Sequence, residues 1–146
     1  MGVFSALKTS ATGLTAQRLR MSVIANNIAN ITTTRTPDSR PYCRQFAVFA
    51  PILAKNTLKN TTEMSALAPG RGVAVVGIVE DTLPPRLVYE PGHPDANEEG
   101  YVAFPNIDPV TEMVDMISAT RAYEANVTAI NAAKTMAMRA LEIGRG

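Results

Sequence analysis

The sequence predicts an α+β fold: long helices at the two ends of the chain pair as a coiled coil around a small β-rich middle segment. Three observations predict it. Between Met113 and Leu141 the seam positions step three and four apart, through Met113, Met116, Thr120, Tyr123, Val127, Ile130, Lys134, Ala137 and Leu141. That is the a/d pattern of a heptad repeat, interrupted only by Thr120 and Lys134. At the other end Phe4, Leu7, Ala11, Leu14, Arg18, Met21, Ala25 and Ile28 keep the same spacing, with Arg18 as the interruption. Between the two, apolar residues gather in short β-branched runs bounded by proline and glycine. The expected division is a first helix in 1–32, a linker and β-rich segment in 33–107, and a second helix in 108–146.

In order along the chain, the first helix runs from residue 3 to about 31. Gly13 weakens it by about 1 kcal/mol against alanine. It ends in Asn26, Asn27 and Asn30, which are poor helix formers. The residues alone leave two readings of these amides: a solvated last turn, or hydrogen bonds across to other helices. Thr36-Pro37 stops any helix, and 33–41 reads as an extended linker. Residues 42–50 carry Tyr42, Phe46, Val48 and Phe49 and suit a strand, whereas 54–70 is polar and reads as an exposed loop. Val73–Val79 is the clearest strand, followed by short strands at Leu87–Tyr89 and Tyr101–Phe104. Pro91-Gly92-His93-Pro94-Asp95 is a turn. Asp108-Pro109 reads as an N-cap with proline at the first helical position, Glu112 suits the positive end of the helix dipole, and Gly144 and Gly146 mark the stop.

Composition excludes several function classes. The formal charge of +1, without basic or acidic blocks, argues against nucleic acid as a partner. A chain of 146 residues with no Trp builds only a modest core. Cys43 is the single cysteine, so neither an internal disulfide nor a cysteine-based zinc site is expected; it reads as a half-buried strand residue. No apolar run is long enough for a membrane span. Lys8, Arg18 and Arg20 interrupt what would be a signal peptide's apolar region. Met1-Gly2 lacks the Ser or Thr that myristoylation requires at position 6, where Ala6 stands.

Chemical motifs are only apparent. Gly70-Arg71-Gly72 opens a strand, whereas a dinucleotide fingerprint follows one. Ser5-Ala6-Leu7-Lys8 has the spacing of serine acyl enzymes without their companion motifs. The acids at Glu80-Asp81 and at Asp95, Glu98 and Glu99 are solvated carboxylates with too few converging ligands for a metal. Asn30, Asn60 and Asn126 open sequons that matter only in a glycosylating pathway. No catalytic, cofactor or metal site is expected, and the chain is not read as an enzyme.

Leu14-Thr15-Ala16-Gln17-Arg18-Leu19-Arg20-Met21, followed by Ala25-Asn26-Asn27-Ile28-Ala29-Asn30, resembles the N-terminal signature of bacterial flagellar axial proteins. Within that group the chain is similar to the C-type proximal rod family, through Thr36-Pro37, Pro41-Tyr42, Arg44, Gly72-Val73 and the Pro91-Gly92-His93-Pro94-Asp95-Ala96 loop. Gly100-Tyr101-Val102, Pro105-Asn106, Glu112-Met113 through Ile117, and Arg121-Ala122-Tyr123-Glu124-Ala125-Asn126 extend the likeness over most of the chain. It departs from the family at 54–68, which is longer and richer in threonine, and at Asp38-Ser39, where a glycine-containing turn is expected.

The resemblance implies a structural subunit of the proximal rod that polymerises through its terminal helices into the shaft carrying motor torque. It implies export through the flagellar type III apparatus without a cleaved signal peptide, and a place in the basal-body rod within the periplasm. Implied partners are other copies of the chain, B-type and distal rod proteins, and the basal-body base with its MS ring and adaptor protein. The expected assembly interface comprises Leu7, Leu14, Met21, Ile28, Met116, Tyr123, Val127, Ile130 and Leu141, with Asn26, Asn27, Asn30 and Asn126 fixing register. Alanine- and methionine-rich seams barely offset the roughly 1 to 2 kcal/mol of ordering per residue, so the termini are expected to fold on assembly. Competing readings are a coiled-coil module such as a secretion adaptor, another rod protein of B or distal type, and an enzyme using His93.

Overall fold

The computed structural model describes residues 2–52 and 71–144. Helix α1 spans Val3–Ala29 and helix α2 spans Pro109–Ile143, with strands β1 (Gln45–Pro51), β2 (Val73–Glu80), β3 (Arg86–Tyr89) and β4 (Tyr101–Phe104) between them. The class is α+β, as the sequence predicts. The polar loop expected at 54–70 lies outside the described residues.

Helix α2 starts where its cap requires. Asp108 Oδ1 accepts from the Val110 N–H at 3.2 Å, and Oδ2 accepts from the Thr111 N–H at 3.2 Å and its hydroxyl at 2.5 Å. These bonds, that from the Thr111 hydroxyl first, hold the Asp108 carboxyl below its ordinary value. Helix α1 closes through Asn30, whose amide donates to the Asn26 carbonyl at 2.9 Å and accepts from the Thr33 hydroxyl at 3.1 Å. The Asn26 carbonyl also accepts from the Asn30 N–H at 3.1 Å, so the side chain doubles the last backbone bond of the helix.

The segment 33–41 is not the extended linker that the sequence suggests. The Ser39 N–H donates to the Thr36 carbonyl at 2.9 Å, the Thr36 N–H to the Arg40 carbonyl at 2.8 Å, and the Tyr42 N–H to the Thr33 carbonyl at 3.1 Å. Pro37, Asp38 and Ser39 thus form a three-residue hairpin loop, with Ser39 at φ 58° in the left-handed position usually given to glycine.

Strands β1 and β2 form one two-stranded sheet, and β3 and β4 another. The first is antiparallel, bracketed by Ile52 N–H to the Gly72 carbonyl at one end and Asp81 N–H to the Arg44 carbonyl at the other. In the second, Arg86 pairs with Phe104 and Tyr89 with Tyr101, the two tyrosine rings meeting edge to face at 5.4 Å. His93 lies in the connection. Its Nδ1 accepts from the Asp95 N–H at 3.1 Å and its ring meets Phe104 edge-on.

The chain divides into two compact units. One comprises Met1–Arg18, Val48–Gly77 and Thr120–Gly146. Its described core is small, with Ala16 and Ala133 buried. Gly13 admits the Asn126 side chain: a Cβ there would stand 2.8 Å from Asn126 Oδ1. At Gly72, φ 120°, a Cβ would collide with the Thr12 hydroxyl, which accepts from the Val73 N–H at 3.2 Å. The other unit comprises Leu19–Ala47 and Ile78–Ala119, and buries Val23, Ile24, Val102, Pro105, Ile107 and Ala119.

Candidate assembly faces and a buried polar junction

Within Leu19–Ala47 and Ile78–Ala119, α1 and α2 are joined by polar groups. Asn27 and Glu112 are each 1% exposed. The Asn27 amide nitrogen donates to the Gln45 carbonyl at 2.8 Å and to Glu112 Oε2 at 3.0 Å. Its oxygen accepts from the Gln45 N–H at 2.9 Å and the Tyr42 hydroxyl at 3.1 Å. Both donors and both lone pairs are therefore used. The side chain meets the backbone of Gln45 as a neighbouring strand would.

The second oxygen of Glu112 accepts from Arg44 Nε at 2.6 Å. Arg44 also lies 3.6 Å from Asp115 and 3.9 Å from Asp81, and Asp115 accepts from Arg20 Nη2 at 2.8 Å. The junction thus ties two helices to the start of β1 with charge-assisted bonds, which are shorter and stronger than neutral ones. Asn27–Glu112 and Arg20–Asp115 run in opposite senses along the two helices, so this pairing is antiparallel. Burial, then the Glu112 carboxylate, raises the Tyr42 phenol above its ordinary value.

The side chains that face the chain's own interior differ from the predicted seam. In α1 the positions Phe4, Ala11, Arg18 and Ala25 are exposed, Phe4 at 85%. Leu7, Leu14, Met21 and Ile28 are half-buried at the margin, and the buried stripe runs through Ala16, Val23, Ile24 and Asn27. In α2 the interior stripe is Glu112, Ala119 and Ala133; Met113, Lys134 and Leu141 are exposed, while Met116, Thr120, Tyr123, Val127, Ile130 and Ala137 are half-buried. The difference has a physical reason: beside Val23 and Ile24, close helix contact within the chain uses alanine, glycine and fully bonded polar groups, which apolar periodicity does not count.

Of the expected register amides, Asn27 reaches across helices. Asn30 caps its own helix, Asn126 donates to the Ala122 carbonyl at 2.8 Å, and the Asn26 side chain is exposed. Tyr42, Arg44, Glu112, Arg20 and Asp115 were not foreseen as partners. The available signal was spacing: Arg20 and Asn27, and Glu112, Asp115 and Ala119, keep helical faces.

Large apolar side chains point outward on both helices. On α2 these are Val110, Met113, Val114 and Ile117, then Met136, Met138, Leu141 and Ile143. Phe46, Val48, Phe49, Val76, Ile78 and Val79 are exposed on β1 and β2. Among the described residues no group of three metal-ligating side chains converges, and no helix is long and apolar enough to cross a membrane.

Comparison with known proteins gives a consistent result. The family model for flagella basal body rod proteins matches residues 7–35, and that for the C-terminal part of flagellar basal body rod FlgEFG proteins matches residues 98–143. The flagellar basal-body rod protein FlgC of Borreliella burgdorferi is 50% identical over the whole of both chains. FlgC of Bacillus subtilis is 47% identical over 99% of this chain and all of its own, and FlgC of Escherichia coli O6:H1 is 38% identical over the same shares.

Proposed function

The chain belongs to the FlgC family of flagellar basal-body rod proteins, and we propose that it polymerises through the outward faces of α1 and α2 into the proximal rod, the drive shaft that transmits motor torque. One observation supports this reading above the rest. The helices pair with each other through an interior stripe, yet still carry Phe4, Met113, Val114, Ile117, Leu141 and Ile143 into water. Apolar faces of this kind on helices belong against neighbours. Neighbours related by a rotation that does not close give a helical tube.

The same reading gives the chain its partners: further copies of itself, B-type and distal rod proteins, the MS ring and adaptor at the base, and the flagellar type III export apparatus. It locates the chain in the periplasmic part of the basal body, reached without a cleaved signal peptide. It also makes the protein non-catalytic. His93 is engaged in its own turn through Asp95 and Phe104, and His93→Ala is expected to leave rods able to form.

Val114→Asp tests the outward face. The position is 61% exposed, so the subunit should fold. Basal bodies isolated from cells carrying it are expected to lack the protein and the cells to be non-motile. Normal amounts in purified basal bodies would remove this face from the assembly.

A further inference from the structure

The β3–β4 hairpin offers a strand edge on each side, and the two edges are complementary. The Glu90 N–H donates to the Gly100 carbonyl at 2.9 Å. By alternation Val88–Val102 and Arg86–Phe104 are then the bonded pairs of the ladder, and Leu87, Tyr89, Tyr101 and Ala103 turn their backbone groups outward. On the β4 side Asn97 closes Tyr101: its N–H donates to the Tyr101 carbonyl at 2.9 Å and its Oδ1 accepts from the Tyr101 N–H at 2.8 Å. Ala103 has no such partner among the described residues. It lines a cleft of about 300 Å³ together with Val102, Asp95 and, from the 33–41 hairpin, Thr34, Arg35 and Pro41. The Arg35 side chain is 69% exposed and stands 3.7 Å from Asp95, outside hydrogen-bond distance, while the Thr34 hydroxyl donates to Asp95 at 2.8 Å. The cleft thus presents one backbone donor, one backbone acceptor and a guanidinium with donors to spare. On the β3 side Leu87 and Tyr89 are 64% and 63% exposed, and the Glu90 carboxylate is exposed with no ion pair among the described residues.

We propose that the β3 edge of a second copy of the chain docks in this cleft against β4, so that the sheet continues from one subunit to the next. Because β3 and β4 are antiparallel within a copy, copies stacked in the same orientation continue an antiparallel ladder. The register is set by what is free. Leu87 opposite Ala103 would bring Tyr89 against Tyr101, whose groups Asn97 already uses. Tyr89 opposite Ala103 exchanges both backbone bonds instead, and places Pro91, which has no N–H to lose, opposite the closed Tyr101. Glu90 of the second copy then lies opposite Val102, on the cleft residues' side of the new pair, and gives Arg35 a carboxylate. Pro85 and Pro91 bound the β3 edge, which limits pairing with other strands. The contact joins two different edges, so it repeats head to tail and generates an open array rather than a closed dimer.

This contact rests on the polymerising role proposed above and adds a strand-to-strand joint to the helical faces. A disulfide tests it in isolated basal bodies, with Tyr89→Cys and Ala103→Cys in a chain that also carries Cys43→Ser. A bonded antiparallel pair stands about 5.5 Å apart at Cα, within disulfide reach. Within one copy Tyr89 pairs with Tyr101, and Ala103 with Leu87, so the bridge forms between copies. Oxidation is expected to give a ladder of dimers, trimers and higher species. Basal bodies that contain the chain but yield it as monomer, or as dimer alone, would overturn the inference and leave the polymerising role standing. Absence of the unmodified chain from basal bodies would remove that role and this contact with it. Charge reversal is the second measurement. Arg35 and Glu90 are both exposed, so variants there should fold. Arg35→Glu and Glu90→Arg are each expected to lower the amount of chain in basal bodies about tenfold, and the two together to restore at least half of it. Normal amounts with either single variant, or no recovery with both, would overturn the Arg35–Glu90 contact.

Discussion

Asn27 is the residue on which the most contacts converge, and its replacement has a calculable cost. Asn27→Leu leaves the Gln45 N–H and carbonyl, one Glu112 oxygen and the Tyr42 hydroxyl without that partner. Each buried group left unsatisfied costs about 1–3 kcal/mol. With partial relaxation, a loss of about 3–5 kcal/mol is expected in urea unfolding. The register role expected from the sequence gives the amide to neighbouring molecules instead, and on that basis the variant would keep its helicity and lose assembly. Arg44→Met strands Glu112, a carboxylate 1% exposed, and should cost a similar amount. In the Arg44→Met, Glu112→Leu double variant no charge is stranded, so its loss should be smaller than the sum of the singles; an additive result would deny the pair. Tyr42 adds a pH signature. Its folded value is raised above the unfolded 10.0, so its contribution is complete below pH 10 and is lost as pH rises through the folded value. Tyrosinate absorbance and helicity should therefore change together above pH 10.

At the scale of elements, most of the architecture was legible. Helix and strand boundaries follow from Pro109 after Asp108, from Val73–Val79, and from the short runs that became β3 and β4. Two things were not legible. The 33–41 hairpin carries Ser39 where such a loop normally shows glycine, so Pro37-Asp38 marks a turn without marking its left-handed position. The interior face of each helix was hidden because Val23 and Ile24 share it with Asn27 and Ala16 on α1, and on α2 it is made of Glu112, Ala119 and Ala133. Ser39 also makes a prediction. A non-glycine residue in the left-handed region carries about 1–2 kcal/mol of strain, partly offset by glycine's entropy when unfolded. Ser39→Gly should raise stability by up to about 1 kcal/mol, and a fall in the unfolding midpoint would contradict the turn geometry. The α2 cap titrates at the acid end. Asp108 lies below its ordinary 3.8, so its contribution is present above that value and disappears as pH falls through the lowered one. Amide shifts of Val110 and Thr111 should report that titration.

At the scale of the whole molecule, identity to FlgC over the full length places the chain among rod subunits. Its own physics supplies a reason for such a role. One face of each helix is used within the chain, and another is left apolar and open. The open methionines Met113, Met136 and Met138, at 52%, 60% and 52% exposure, are native probes of that second face. Their oxidation by dilute peroxide should be compared in the free chain and in isolated basal bodies, site by site. Assembly through the outward helical faces predicts rapid oxidation in the free chain and at least tenfold slower oxidation in the basal body. Equal rates at all three sites would show those faces still open in the rod and would contradict the account.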